Sequence, residues 1–291
     1  MTRSFRIVFV LTLLGPLRAH ADASITPSDP FRAPIAATAG PSPSLGPVYR
    51  PERTSFEESA GGDHWRFDTW NGPVHVWRPE GYDERTAGVV IYVHGYYTDV
   101  DTAWDEHALA AQFAEGVKNA LYIVPEAPAG AAEEVKFGAP AILFAEVTKH
   151  TGVAVPSGGP MVVIGHSGAY RTLAVYLDYK PLAHVVLLDA LYANEEDFKA
   201  WFERSTPKDK VQRKLTIVAK GTLRRSKRFL RVVRGAQPQV LKEVPAAPAG
   251  FTAKQKQARL LHVSSQYGHF ELVSEGKTIP LLLQATALGK L

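Results

Sequence analysis

Cysteine is absent from all 291 residues. That excludes disulfides, a thiol nucleophile and a lipid anchor attached through Cys. The apolar run from Ile7 to Leu14 is too short to cross a bilayer as a helix. No internal repeat is visible. The acidic stretch Thr98 to His107 lacks the glycine and distal glutamate of a calcium loop, so Asp99 and Asp101 read as helix-capping residues and no metal is expected. Aromatic residues do not recur at the regular spacing that would stack bases, so nucleic acid is not an expected partner.

What is present suits a globular enzyme: 45% hydrophobic and 21% charged residues. The chain opens with Arg3 and Arg6, the short apolar run, and Ala19-His20-Ala21, the pattern of a cleaved export signal over residues 1–21. Export to a periplasm or the exterior is the expectation. Residues 22–51 are rich in Pro, Ala, Ser and Gly and read as a flexible linker. Residues 52–291 then form one domain. The net charge of +4 is unevenly spread: eleven Lys and Arg against Asp209 alone lie between Lys208 and Arg234. This basic segment, 208–234, is the feature to explain, and weak association with anionic surfaces is one use for it.

Strand and helix signals alternate from about Glu52. Trp65 to Trp70 and Val74 to Trp77 flank Asn71-Gly72 and predict an antiparallel hairpin. Short apolar strands are expected near 89–93, 121–124, 161–164, 185–188, 215–218 and 260–263. Helices are expected over 103–117, 139–149 and 195–204, with Asn194 capping the last, and from Thr278 to the end. Segment 236–250, with three prolines, reads as a surface loop. Buried strands alternating with helices predict an α/β fold: a mostly parallel, doubly wound sheet whose ligands sit beyond the carboxyl ends of the strands.

The strand Met161 to Ile164 runs into Gly165-His166-Ser167-Gly168-Ala169 and then a helix. A serine on so sharp a turn has its hydroxyl lifted clear of the sheet, above a helix N-terminus that favours developing negative charge. This element resembles the nucleophile elbow of the α/β-hydrolase superfamily, and Val93-His94-Gly95-Tyr96 resembles its oxyanion-loop motif. Ala169 departs from the glycine usual there. The resemblance covers roughly Trp65 to the C-terminus and implies the α/β-hydrolase fold with Ser167 as nucleophile.

A serine hydroxyl needs an adjacent base. The superfamily's base follows the last strand, where His269 stands; His262 falls inside that strand and reads as a packed core histidine. The acid that orients the base usually follows the strand at 215–218, but Ala219 to Arg225 contains no carboxylate. Asp189, at the end of the preceding strand, is the expected acid, with Glu195, Glu196 and Asp197 as rivals. The amides of Gly168 and Tyr96 are the expected oxyanion donors. Tyr97, His166, Arg224 and Arg225 are candidate substrate contacts, and Arg224 and Arg225 equally suit the solvated face of an amphipathic helix. No cofactor is expected. The resemblance implies a serine esterase acting on a small-molecule or cell-envelope acyl substrate. An amidase or peptidase with the same residues, or a non-catalytic binding protein on this fold, are the alternatives.

Overall fold

The computed structural model describes residues 53–205 and 212–291. The leader 1–21, the linker 22–51 and the basic residues Lys208 and Lys210 lie outside them. Three antiparallel strands come first: β1 (Thr54–Ser59), β2 (Gly62–Thr69) and β3 (Gly72–Pro79). Then follow β4 (Gly88–Val93), α1 (Val100–Glu106), α2 (Leu109–Gly116), β5 (Ala120–Pro125) and α3 (Pro140–Thr151). The middle of the chain forms β6 (Met161–His166), a one-turn 3-10 helix (Ser167–Ala169), α4 (Tyr170–Tyr176), β7 (Leu182–Leu188), α5 (Glu195–Glu203) and β8 (Lys214–Ala219). It closes with α6 (Leu223–Val232), β9 (Gln239–Leu241), α7 (Ala253–Gln257), β10 (Leu260–Ser264), α8 (Glu271–Ser274) and α9 (Thr278–Gln284).

These strands make one sheet in the order β1-β2-β3-β5-β4-β6-β7-β8-β10-β9. The hairpin forms as expected, β2 pairing β3 from Gly62↔Pro79 to Thr69↔Gly72, with Gly72 at φ 113° in the turn. Strands from β5 to β9 run parallel. Period-2 alternation splits each central strand between two cores. In β4, Val89, Ile91 and Val93 face one core, and Val90 and Tyr92 the other. The first core is covered by α3 through α6 (Leu143, Leu173, Phe198, Phe229) and the second by α1, α2, α8 and α9 (Trp104, Phe113, Leu272, Leu282). The sheet is therefore doubly wound.

Register sets where the chemistry can happen. Val93 pairs with Gly165, His166 with Leu188, Leu188 with Val218, and Ala219 with Ser264. The carboxyl ends of β4, β6, β7, β8 and β10 thus finish level, and the five loops that follow share one rim.

Three expectations need correction. The helix expected over 103–117 is two helices, because Ala108 adopts a left-handed conformation (φ 46°) between α1 and α2. The break lets His107 turn inward, where the Tyr92 hydroxyl lies 3.0 Å from its Nδ1. Segment 236–250 is not all loop: Gln239–Leu241 adds a short parallel edge strand beside β10. Asn194 stands at the N-cap position of α5 but at φ 60°, and its side chain bonds Asp197 at 2.7 Å rather than a helix amide.

The second core centres on Phe113, 1% exposed and stacked on Tyr122 at 4.4 Å. Trp77 and Trp104 lie 6.4 and 6.3 Å from it. Phe113→Ala should cost about 3–5 kcal/mol, read as a lowered urea midpoint. A loss under about 1 kcal/mol would mean that this core closes over the cavity.

Candidate active site

Ser167 stands at φ 51°, a left-handed conformation that costs a non-glycine residue about 1–3 kcal/mol. The fold tolerates the turn because its neighbours are small. A Cβ on Gly165 would lie 2.7 Å from the Leu173 side chain and 3.0 Å from the Ala169 methyl; one on Gly95 would lie 2.8 Å from the Ser167 Cβ. The departure at Ala169 is accommodated because the bare Gly165 faces it. One on Gly168 would lie 2.4 Å from the Tyr96 ring, so the glycine lets the elbow and the β4 loop close together.

Three side chains distant in sequence meet at this rim. The Ser167 hydroxyl lies 2.9 Å from His269 Nε2, and His269 Nδ1 lies 2.7 Å from Asp189 Oδ2. A carboxylate accepts, so Nδ1 carries the proton and Nε2 offers its lone pair to the hydroxyl. Asp189 is fully buried and also strained, at φ 45°. Its Oδ1 accepts from the Lys220 amide (3.0 Å), the Thr222 amide (2.8 Å) and the Thr222 hydroxyl (2.7 Å); Oδ2 accepts from the Gly221 amide (3.0 Å). Burial alone would raise the pKa of this acid. The bonds from His269, from the Thr222 side chain and amide and from the Lys220 amide outweigh burial and hold it well below the usual carboxylate range.

The loop after β8, which has no acid of its own, is thus the cradle for the acid of the strand before it. Thr222 is the N-cap of α6 but makes no side-chain cap, because its hydroxyl turns to Asp189. A sequence reading that looks for a carboxylate in this loop overlooks its amides. The available signal was Lys220-Gly221-Thr222 immediately before a helix, a ready anion site.

The β4 loop is braced from β5. His94 is fully buried, and its Nε2 lies 2.9 Å from Glu126 Oε1. Glu126 Oε2 accepts from the Val100 amide at 3.3 Å, and the Tyr97 amide donates to the Ala129 carbonyl at 2.9 Å. The Tyr96 amide has no acceptor among the described residues. Tyr97 is 74% exposed at the mouth. Phe270 and Tyr192, which the sequence did not single out, place rings 5.0 and 6.2 Å from that of His269.

The other candidates make no bond to the Ser167 hydroxyl, whose partner is His269. His166 is buried behind His269, its Nε2 at 2.9 Å from the His269 carbonyl, so it does not face a substrate. Arg225 pairs with Glu195 at 3.4 Å, and Arg224 is exposed on α6. His262 is buried against the Ser226 hydroxyl at 2.9 Å. Asp99 caps α1 through the Thr102 amide (2.7 Å), and Asp101 accepts from Arg66 and lies 2.8 Å from His75. Glu195 faces Arg225, Glu196 pairs with Lys199 at 3.6 Å and Asp197 faces Asn194, while His269 Nδ1 bonds Asp189, so none of the three rivals takes its place. Among the described residues no group of three or more His, Asp or Glu is arranged to hold a metal ion, and no helix is long and apolar enough to cross a membrane.

No protein-family model matches the sequence, and no curated protein does. Solved structures similar to the chain include a mutant of the feruloyl esterase module of Clostridium thermocellum in complex with sinapinate. It has 13% identity and a TM-score of 0.48 over 86% of this chain and 95% of that one. An S-formylglutathione hydrolase from Agrobacterium tumefaciens has 13% identity and a TM-score of 0.47 over 81% and 99%. A fluorophosphonate-binding serine hydrolase from Staphylococcus aureus has 12% identity and a TM-score of 0.46 over 81% and 98%. By its own strand order and helix placement, the chain has the α/β-hydrolase fold.

The cradle makes a pH prediction. A depressed folded-state pKa stabilises the fold at and above the unfolded value, about 3.9 for Asp, and that stabilisation is lost as pH falls toward the folded value. Asp189→Asn should cost about 3 kcal/mol at pH 7. The gap to wild type should shrink as pH falls from about 5 to about 2. Urea unfolding of both proteins across that range measures it; a gap independent of pH would contradict the cradle.

Proposed function

We propose that the protein is an exported serine hydrolase that cleaves a carboxylic ester through an acyl-enzyme on Ser167. The observation that carries the reading is the continuous hydrogen-bonded chain from the Ser167 hydroxyl through His269 to Asp189. A strained serine on an elbow, an imidazole nitrogen 2.9 Å from its hydroxyl, and a buried carboxylate on the other nitrogen together meet what acyl transfer to serine requires.

The steps follow from that geometry. Ser167 Oγ bonds to the ester carbonyl carbon as its proton passes to His269 Nε2. The carbonyl oxygen takes the negative charge, held by the amides of Gly168 and Tyr96. Asp189 stabilises the imidazolium across the 2.7 Å bond. The C–O bond to the alcohol then breaks, and His269 returns its proton to the departing oxygen. Water, activated by the same nitrogen, attacks the acyl carbon, frees the acid and restores Ser167.

An ester is favoured over an amide because its leaving group needs less protonation. The binding-protein alternative loses its motive: the acid missing after β8 is supplied by Asp189, and Ala169 fits beside Gly165. Residues 1–21 support export, which points to a small-molecule or envelope acyl substrate outside the cytoplasm. The basic face of α6 supports weak attachment to an anionic surface; its Arg225 and Arg228 share Glu195, while Arg224 and Arg231 face solvent.

Hydrolysis of a short-chain p-nitrophenyl ester tests the reading. Ser167→Ala and His269→Gln should each lower kcat/KM by about 1,000-fold or more, and Asp189→Asn by about 100-fold or more. Gly95→Ala, which crowds the Ser167 Cβ, should lower kcat in the same assay. Activity undiminished in Ser167→Ala would end the assignment.

A further inference from the structure

The residue before the nucleophile is a histidine that no step above uses. His166 is 2% exposed, and its Nε2 lies 2.9 Å from the backbone carbonyl of His269. A carbonyl only accepts, so Nε2 carries the proton and donates it. The two imidazole rings lie 4.6 Å apart, tilted by 38°. Phe270 and His107 also pack against the His166 ring, at 6.1 and 6.3 Å, both edge-on.

We propose that His166 is a positioning residue for the base: it ties the main chain of His269 to the strand end that carries Ser167. The inference rests on the hydrolase reading and deepens it. Nucleophile and base come from different parts of the sheet, β6 and the loop after β10, and their alignment depends on that loop holding still. The loop's other ties lead away from the elbow. The Ser265 amide donates to the Ala219 carbonyl (2.9 Å), and the Gln266 side chain exchanges two bonds with the Val244 main chain (2.8 and 2.9 Å). The Ser265 hydroxyl donates to the Tyr267 carbonyl (3.1 Å) and accepts from its amide (3.0 Å), and Gly268 donates to Glu271 at 2.6 Å. None of these bonds reaches the elbow. The bond from His166 does, because its donor is the immediate neighbour of the nucleophile. Serine and base are thus linked twice, once through Oγ and Nε2 and once through main chain and His166.

The choice of histidine has a second consequence. When His269 is protonated during the reaction, a cation at 166 would oppose it across 4.6 Å. Burial, reinforced by the facing His269, pushes the His166 pKa down to about 3, and the carbonyl bond and the more distant Asp189 only partly offset this. His107, the other titratable group facing the ring, is pushed down to about 4 by burial. Both rings are therefore neutral in the working range. His166 donates its bond without adding charge, which a lysine or arginine there could not do.

Two variants separate the bond from the bulk. His166→Phe keeps a flat buried ring and removes the donor; His166→Gln restores an amide donor near the Nε2 position. With a short-chain p-nitrophenyl ester, His166→Phe should lower kcat by about 10- to 100-fold, the scale of a misplaced reacting group, with KM little changed. His166→Gln should recover most of the loss at the same KM. Wild-type-like kcat in folded His166→Phe, or a His166→Gln no better than His166→Phe, would overturn the proposal. Nitrogen-15 NMR of the wild-type histidines needs neither variant folding nor turnover. It should show His166 as the Nε2–H tautomer, neutral from about pH 5 to 9. An Nδ1–H tautomer or a titration in that range would overturn the proposal. Absence of any esterase activity in the wild type would instead strike the hydrolase reading, and the tautomer would still decide the bond.

Discussion

Asp189 has no solvent exposure, lies on a backbone at φ 45° and accepts four bonds besides that from His269. An unpaired charge so placed would cost several kcal/mol. Three successive amides and a hydroxyl at the start of α6 remove that penalty, and His269 completes the shell. The first turn of α6 carries Arg224 and Arg225 and no acid. Cations there oppose the helix dipole; Arg225 pairs with Glu195, and the Asp189 carboxylate supplies a negative charge at the helix N-terminus. Helix and carboxylate thus stabilise each other, and the His269 ring is oriented as a result.

The sheet makes this possible. Level carboxyl ends of β6, β7, β8 and β10 bring the elbow, the acid, its cradle and the base loop to one rim. Strain gathers at the same place: Ser167, Asp189 and Tyr97 all adopt positive φ. Bare Cα atoms at Gly95, Gly165 and Gly168 provide the clearance that lets such conformations pack. Nearby polar groups are built to stay neutral. Burial pushes His75, His107 and His262 each down to about 4, His75 against the pull of Asp101, so these histidines serve as hydrogen-bonding groups.

Much of this was legible beforehand. Apolar runs of four or five residues located the central strands, and Asn71-Gly72 located the hairpin. The resemblance to the α/β-hydrolase superfamily, read onto the order of elements, pointed to Ser167 on the elbow, to His269 over the strand-bound His262, and to Asp189 at a strand end. What was hidden depends on contacts between distant segments. Nothing near Ala108 marks a left-handed break, and its partner contact, His107 with Tyr92, joins residues 15 apart. The amides of 220–222 have no side-chain signature, so their hold on Asp189 shows only once β7 and β8 pair. His166 reads as a substrate contact in the sequence because a sequence cannot say on which side of a strand end a loop 100 residues later will pass; that loop covers it.

The account's central claim is that Ser167 is a nucleophile armed by His269 and Asp189. Intact-protein mass after exposure to a fluorophosphonate tests it without a known substrate. One phosphonyl adduct should appear, map to Ser167 by peptide mass, and form far more slowly in His269→Gln. A folded wild type that stays unmodified, or an adduct on another residue, would contradict it.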